Sequence, residues 1–206
     1  MQKRVVVLLL DSFGIGASED AKDFGDLGAN TLGNIAKACF NNLADSNDRN
    51  GALKLPYLES LGLGLSALKA ANELPLGFQP QPNLIGAYTY AQELSSAKDT
   101  ISGHRRDVSG YANALEYFDT RLKEVLENLR ENDLLILCAD HGCDPSFKGT
   151  DHTREYIPVL FYHKDLQPAF LGKSESFADI GQSIAHFLGL SPLDYGKNLL
   201  NFKGQP

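Results

Sequence analysis

The sequence predicts an α/β fold with a mostly parallel central sheet, and three observations carry the prediction. Val5–Leu10 is a short unbroken apolar run that ends in Asp11-Ser12-Phe13-Gly14. Leu134–Ala139 repeats the pattern and ends in Asp140-His141-Gly142. Between and after these runs lie stretches with helical spacing of apolar residues. Unbroken apolar runs of this length read as strands covered on both faces, and strands alternating with helices give a parallel sheet. At 206 residues, 43% hydrophobic and 22% charged, the chain suits a single globular domain over 1–206.

The first strand is expected over Val5–Leu10, with a turn at its carboxyl end. A helix follows from Thr31, capped by Asn30 or by Thr31 itself. Leu32, Ile35, Ala36, Cys39, Phe40 and Leu43 fall on its i, i+3, i+4, i+7 positions. Pro56 opens a short helical turn that Gly62 and Gly64 close, and the prolines of 72–83 mark a surface loop. Ile85–Tyr90 reads as a strand. A long amphipathic helix begins at Asp107, with Val108, Tyr111, Ala112, Leu115, Leu122, Val125, Leu126 and Leu129 on one stripe. Strands are expected over Leu134–Ala139 and Ile157–Tyr162. Ser176 and Asp179 have the spacing of a capping box before Ile180, Ile184 and Phe187, and Gly189 stands where a helix ends. There is no internal repeat and no low-complexity tract.

The formal net charge is -7, and the only adjacent basic pair beyond the N-terminus is Arg105-Arg106. That balance argues against a nucleic-acid partner, whose binding depends on neutralising phosphates. The longest apolar run is too short to cross a membrane, and it meets Asp11 without a small-residue cleavage site. Cys39, Cys138 and Cys143 are odd in number and read as free thiols of a cytoplasmic protein.

Ligands of open α/β sheets bind beyond the carboxyl ends of the strands. Both buried-type strands end there in an aspartate, Asp11 and Asp140, and His141 follows the second. His152 comes eleven residues later, and His104 lies in a polar stretch close behind Asp99 and Thr100. Mixed imidazole and carboxylate donors suit Mn²⁺ or Zn²⁺, and two such ions side by side suit phosphoryl transfer. Each residue alone also has a purely structural reading, since an aspartate after a strand caps turns and helices. His163 reads as a solvated turn residue and His186 as a helix-surface residue. Gly14 and Gly16 resemble a dinucleotide fingerprint, but its third glycine is missing and Asp11 would repel a pyrophosphate.

The motifs go further. Leu8–Gly16, Phe24-Gly25-Asp26 and Gly28-Ala29-Asn30-Thr31-Leu32-Gly33 closely resemble the N-terminus of bacterial phosphopentomutases. Ala139-Asp140-His141-Gly142-Cys143-Asp144-Pro145 and Gly149-Thr150-Asp151-His152-Thr153-Arg154-Glu155 resemble that family's C-terminal metal motif. Lys98-Asp99-Thr100 resembles its phosphorylated-threonine segment, and Gly103-His104-Arg105-Arg106-Asp107-Val108 the opening of its long helix. The resemblance implies an alkaline-phosphatase-like catalytic core, a three-layer α/β sandwich with two divalent metal ions, Mn²⁺ first, with Mg²⁺ or Zn²⁺ as alternatives. It implies Asp11, Asp140, His141 and the Thr100 hydroxyl around one ion, and His104 and His152 around the other. Thr100 is then the nucleophile that carries phosphoryl to and from a pentose phosphate, interconverting the 1- and 5-phosphates of ribose or deoxyribose. A metal-dependent phosphomonoesterase and a catalytically silent metal-binding domain are the alternatives.

Members of that family carry a second α/β cap domain between the threonine segment and the Gly-His-Arg-Arg-Asp segment. Here the two segments are fused at Ser102-Gly103-His104. Both contain a Gly-His pair, so His104 aligns to either. Asp99 likewise falls either beside the nucleophile or at the position of a further metal-binding aspartate. The expectation is a catalytic core whose cap is absent, with the junction near 99–104.

Overall fold

A computed structural model describes residues 2–92, 107–148 and 152–202. The elements run β1 (Arg4–Leu9), α1 (Ala21–Phe24), α2 (Thr31–Phe40), α3 (Pro56–Leu61), α4 (Leu63–Ala71), β2 (Ala87–Gln92), α5 (Val108–Asn128), β3 (Asp133–Cys138), β4 (Tyr156–Tyr162) and α6 (Ala178–Leu188). The four strands form one sheet in the order β1-β3-β4-β2. β1 and β3 are parallel, while β4 is antiparallel to both β3 and β2. Three strands therefore share one direction and β4 alone opposes them. Its reversal follows from its connection: the described residues between β3 and β4 hold no crossover helix, and a parallel return requires a crossover. Residues 169–174 add a partial parallel pairing along β2 through Tyr88 and Ala91.

β3 is buried along its whole length, as its apolar run requires. β1 corrects the expectation of a doubly covered central strand. It ends the described sheet, and Val7 and Leu9 are 49% and 56% exposed. α3 and α4 pack on the sheet at β4 and β2, and α5 packs on α2 and α3. The core beneath them includes Phe13, Ile15, Leu32, Ile35, Leu58, Leu61, Leu122 and Phe161.

Helix boundaries show which local signals prevailed. The Asn30 side chain accepts from the Gly33 amide at 2.9 Å and caps α2. That helix stops at Phe40, because Asn42 takes a left-handed conformation at φ 59°, and Leu43 is left exposed. Asp107 caps α5 through the Gly110 amide at 2.8 Å. Gly62 does end α3, at φ 107°, but α4 begins at once and contains Gly64, so the single expected turn is two helices. The expected capping box at α6 is rearranged. Ser176 Oγ accepts from the Ala178 amide, whereas Asp179 accepts from the Glu175 amide, Ser174 Oγ and the Lys197 amide. His163 is also corrected: it is buried, its ring packs edge-on against Phe187 and Phe202, and Nδ1 accepts from the Asp165 amide at 3.1 Å. His186 is exposed, as expected.

Two buried aspartates stabilise this frame. Asp119 sits within the apolar stripe of α5 and accepts from the amides of Leu58 at 2.7 Å and Tyr57 at 3.2 Å, capping α3 from another helix. Burial pushes its pKa up to about 6 against these donors. Asp133 opens β3 and accepts from both Arg4 Nε, at 2.8 Å, and the Arg4 terminal nitrogen. Those bonds lower its pKa from 3.8 to about 2 despite burial.

Asp119→Ala leaves two amides at the start of α3 without their acceptor and is expected to cost about 2–4 kcal/mol by denaturant unfolding. A loss under about 0.5 kcal/mol would remove the capping role. The lowered pKa of Asp133 means that its stabilisation is complete above pH 3.8 and is lost as pH falls toward about 2. Urea midpoints across that window are expected to fall more steeply for the natural chain than for Asp133→Asn.

Candidate metal centre

The register of β1 and β3 builds the site. Leu9 pairs with Cys138, and the Leu10 amide donates to the Cys138 carbonyl at 2.8 Å. Asp11 and Asp140 therefore leave the two parallel strands at the same level, two residues beyond the last pair. One ligand atom each from Asp11, Asp140 and His141 lies within 4.8 Å of the others. Asp11 is exposed, while Asp140 and His141 are half-buried.

Local backbone bonds orient each donor. Ser12 adopts a left-handed conformation at φ 64°, which turns its amide back toward Asp140 Oδ1 at 3.0 Å. The His141 amide donates to the same oxygen at 3.0 Å. Burial opposes ionisation of Asp140, but these amides and the adjoining His141 ring outweigh it and lower its pKa. His141 Nδ1 faces the Gly142 carbonyl at 3.2 Å. A carbonyl only accepts, so Nδ1 carries a proton, and Nε2 is the ring nitrogen that faces the carboxylates. Nε2 lies 3.6 Å from Asp140 Oδ2. The His152 ring stacks on that of His141 with centroids 3.5 Å apart and planes at 18°.

Two carboxylates and an imidazole converging from fixed positions fit a divalent cation of intermediate hardness. Among the sequence-predicted residues, the structure brings together Asp11, Asp140, His141 and His152. Asp99, Thr100 and His104 lie outside the described residues, as does the expected junction.

Sequence reasoning missed the residues that support this cluster. Tyr111 on α5 is half-buried and donates its hydroxyl to the Ser12 carbonyl at 3.0 Å, with the Asp11 carbonyl at 3.4 Å. Burial, with the nearby carboxylates, raises its pKa and keeps it a donor. Asp144 ties the 140–155 loop to the start of α2, accepting from the Asn30 amide at 2.9 Å and Asn34 Nδ2 at 2.6 Å. Glu155 lies buried between the two loops that carry Asp11 and Asp140. Asp144 and Glu155 stood in the quoted motifs, but nothing in their spacing marks them as supports. Tyr111 was visible only as an apolar stripe position.

Comparison with known proteins bears on the same residues. The sequence pattern of the Metalloenzyme superfamily matches residues 3–100 and 95–192, so two stretches of it overlap at 95–100. A phosphopentomutase of Helicobacter pylori (strain ATCC 700392 / 26695) is 48% identical over 413 aligned positions, covering all of both chains. Those positions are about twice the 206 residues present here. A phosphopentomutase of Vibrio cholerae is 28% identical over 405 positions, covering 96% of this chain and 100% of that protein. Among solved structures, a phosphoglycerate mutase of Leishmania mexicana aligns with a TM-score of 0.38 and 20% identity, over 48% of this chain and 22% of its own. The superfamily match spans both loops that carry the cluster, and the Helicobacter alignment takes in the whole chain. The chain belongs to the phosphopentomutase family of the metalloenzyme superfamily.

Proposed function

We propose that this chain is the catalytic core of a phosphopentomutase, moving phosphoryl between the 1- and 5-positions of ribose or deoxyribose phosphate. The observation that carries the reading is the convergence of Asp11, Asp140 and His141 beyond parallel strands, in a chain of that family. Two divalent ions, Mn²⁺ first, are the cofactors of this reading. Asp11, Asp140, His141 and Thr100 would hold one, and His152 with His104 the other, with Asp99 as a further candidate. When bound, such ions lower the pKa of a coordinated hydroxyl and neutralise phosphate oxygens.

The chain's own residues have distinct tasks. The Ser12 and His141 amides keep Asp140 ionised, and the Gly142 carbonyl keeps His141 in the tautomer whose Nε2 faces the site. Thr100 is the group that accepts phosphoryl from one sugar oxygen and returns it to the other. Phosphothreonine gives its phosphoryl to the free hydroxyl of the pentose phosphate, forming a bisphosphate. The other phosphoryl then passes back to Thr100, and the isomeric monophosphate leaves. The overlap of the two superfamily matches at 95–100, with an alignment twice the length of the chain, supports a fusion near 99–104 that omits the cap. Asp11 is exposed, which favours a second reading in which water intercepts the phosphothreonine and the chain acts as a phosphomonoesterase.

Incubating the chain with ribose 1-phosphate and Mn²⁺ separates the readings: ribose 5-phosphate is expected. Free phosphate would assign hydrolysis, and neither product would leave a metal-binding domain. Thr100→Ala is expected to lower either activity by about 10³-fold or more. Metal is expected to stabilise the fold, by about 2.7 kcal/mol at a Mn²⁺ concentration about 100 times Kd. Asp140→Asn, which keeps the backbone bonds but removes the charge, is expected to lose that gain in a calorimetric melt.

A further inference from the structure

Glu155 is 2% exposed and holds four hydrogen bonds, all as acceptor. Oε2 accepts from the amides of Gly16 at 3.2 Å and Thr31 at 2.8 Å. Oε1 accepts from Thr31 Oγ1 at 2.7 Å and Thr153 Oγ1 at 2.6 Å. The direction of the two hydroxyl bonds is set from behind. The Cys143 amide donates to Thr31 Oγ1 at 3.2 Å, and the Asp144 amide donates to Thr153 Oγ1 at 2.9 Å. With an acceptor lone pair of each hydroxyl so engaged, its proton is turned to Glu155. A cage of four donors matches an ionised carboxylate and offers a protonated one nowhere to donate.

The donors come from both sides of the site. Gly16 and Thr31 belong to the connection that starts at Asp11, while Thr153 belongs to the loop that carries Asp140, His141 and His152. The backbone also presses on the carboxylate from both sides. A Cβ at Gly14 would fall on the Glu155 carboxylate, and one at Gly142 would stand 2.7 Å from Glu155 Cβ. Gly142 adjoins His141, and Gly14 lies three residues from Asp11. A shift of the glutamate therefore moves both ligand-bearing segments.

We propose that Glu155 is a positioning residue of the metal centre, whose buried carboxylate fixes the separation of the Asp11 loop from the Asp140–His152 loop and so governs metal affinity. The proposal rests on the metal-centre reading above. A buried charge held by four donors is a stiff spacer, because losing any one bond leaves the others to carry an under-solvated carboxylate. A glutamine in its place turns an amide NH₂ toward two donors and forces the loops apart.

The test is Mn²⁺ binding to the whole chain by titration calorimetry. It is run at about pH 8, above the pKa of about 7 to which burial raises Glu155 against its donors. Glu155→Gln is expected to raise the Mn²⁺ Kd by about tenfold or more, the scale typical of groups that orient metal ligands. Asp119→Asn, which weakens the fold at α3, is expected to leave Kd within about twofold of the natural chain. Should Glu155→Gln fail to fold, the Thr31 pair decides. Thr31→Val is expected to weaken binding by about threefold or more, and Thr31→Ser, which keeps the hydroxyl, to restore it. A folded Glu155→Gln chain with unchanged Kd would overturn the proposal. So would a Thr31→Val chain that matches the natural one, or an Asp119→Asn chain that loses as much affinity. If the natural chain binds no Mn²⁺, the metal-centre reading itself falls and the proposal falls with it.

Discussion

Residues 153–156 run against two other segments at once, and the rest of the site depends on that seam. The Ile15 amide donates to the Tyr156 carbonyl, the Tyr156 amide to the Gly16 carbonyl, and the Ser18 amide to the Arg154 carbonyl. The Thr153 amide donates to the Gly142 carbonyl. These bonds stitch the segment after Asp11 to the end of the loop after Asp140, and Glu155 fills the space between. Parallel pairing of β1 and β3 sets the height of the two aspartates. The seam sets how far apart the loops beyond them stand. Ser12 then turns an amide onto Asp140 at φ 64°, and Tyr111 holds the Ser12 carbonyl from α5. The positive φ of a non-glycine residue costs free energy, and the surrounding bonds hold it in place.

The sheet is unequal across its width. β3 is covered everywhere and β4 nearly so, and residues 169–174 lie along part of β2. β1 ends the described sheet with two aliphatic side chains half exposed, although its sequence is as apolar as that of β3. An apolar edge strand is a template for further pairing. That edge belongs to a chain whose alignment with its relatives runs over about twice as many positions as it has residues.

Local signals were legible where the side chain's own chemistry acts on its own backbone. Asn30 and Asp107 cap their helices through amides three residues on, and proline and glycine mark α3 at both ends. They were misleading where a distant segment decided. Ser176 and Asp179 have the spacing of a capping box, but Lys197 and Glu175 claim the carboxylate. His163 follows a strand like a turn residue, yet Phe187 and Phe202 close over it from the C-terminal part of the chain. Asp119 stands at a stripe position where an apolar residue is expected, and its reason is α3, sixty residues earlier.

The sequence by itself determined the α/β class, the long helix from Asp107, and the aspartates at two strand ends with a histidine beside the second. Periodicity, capping and motif order are local, so they survive without coordinates. Only the tertiary structure decided that β4 runs against its neighbours, that β1 lies at an edge, and that His152 stacks on His141. It also decided that Glu155 and Tyr111 bond to the segments that carry Asp11 and His152. These outcomes depend on which segments meet in space, as when Glu155 meets Gly16 and Thr31, and hydrogen-bond geometry at such a seam leaves no period in the chain.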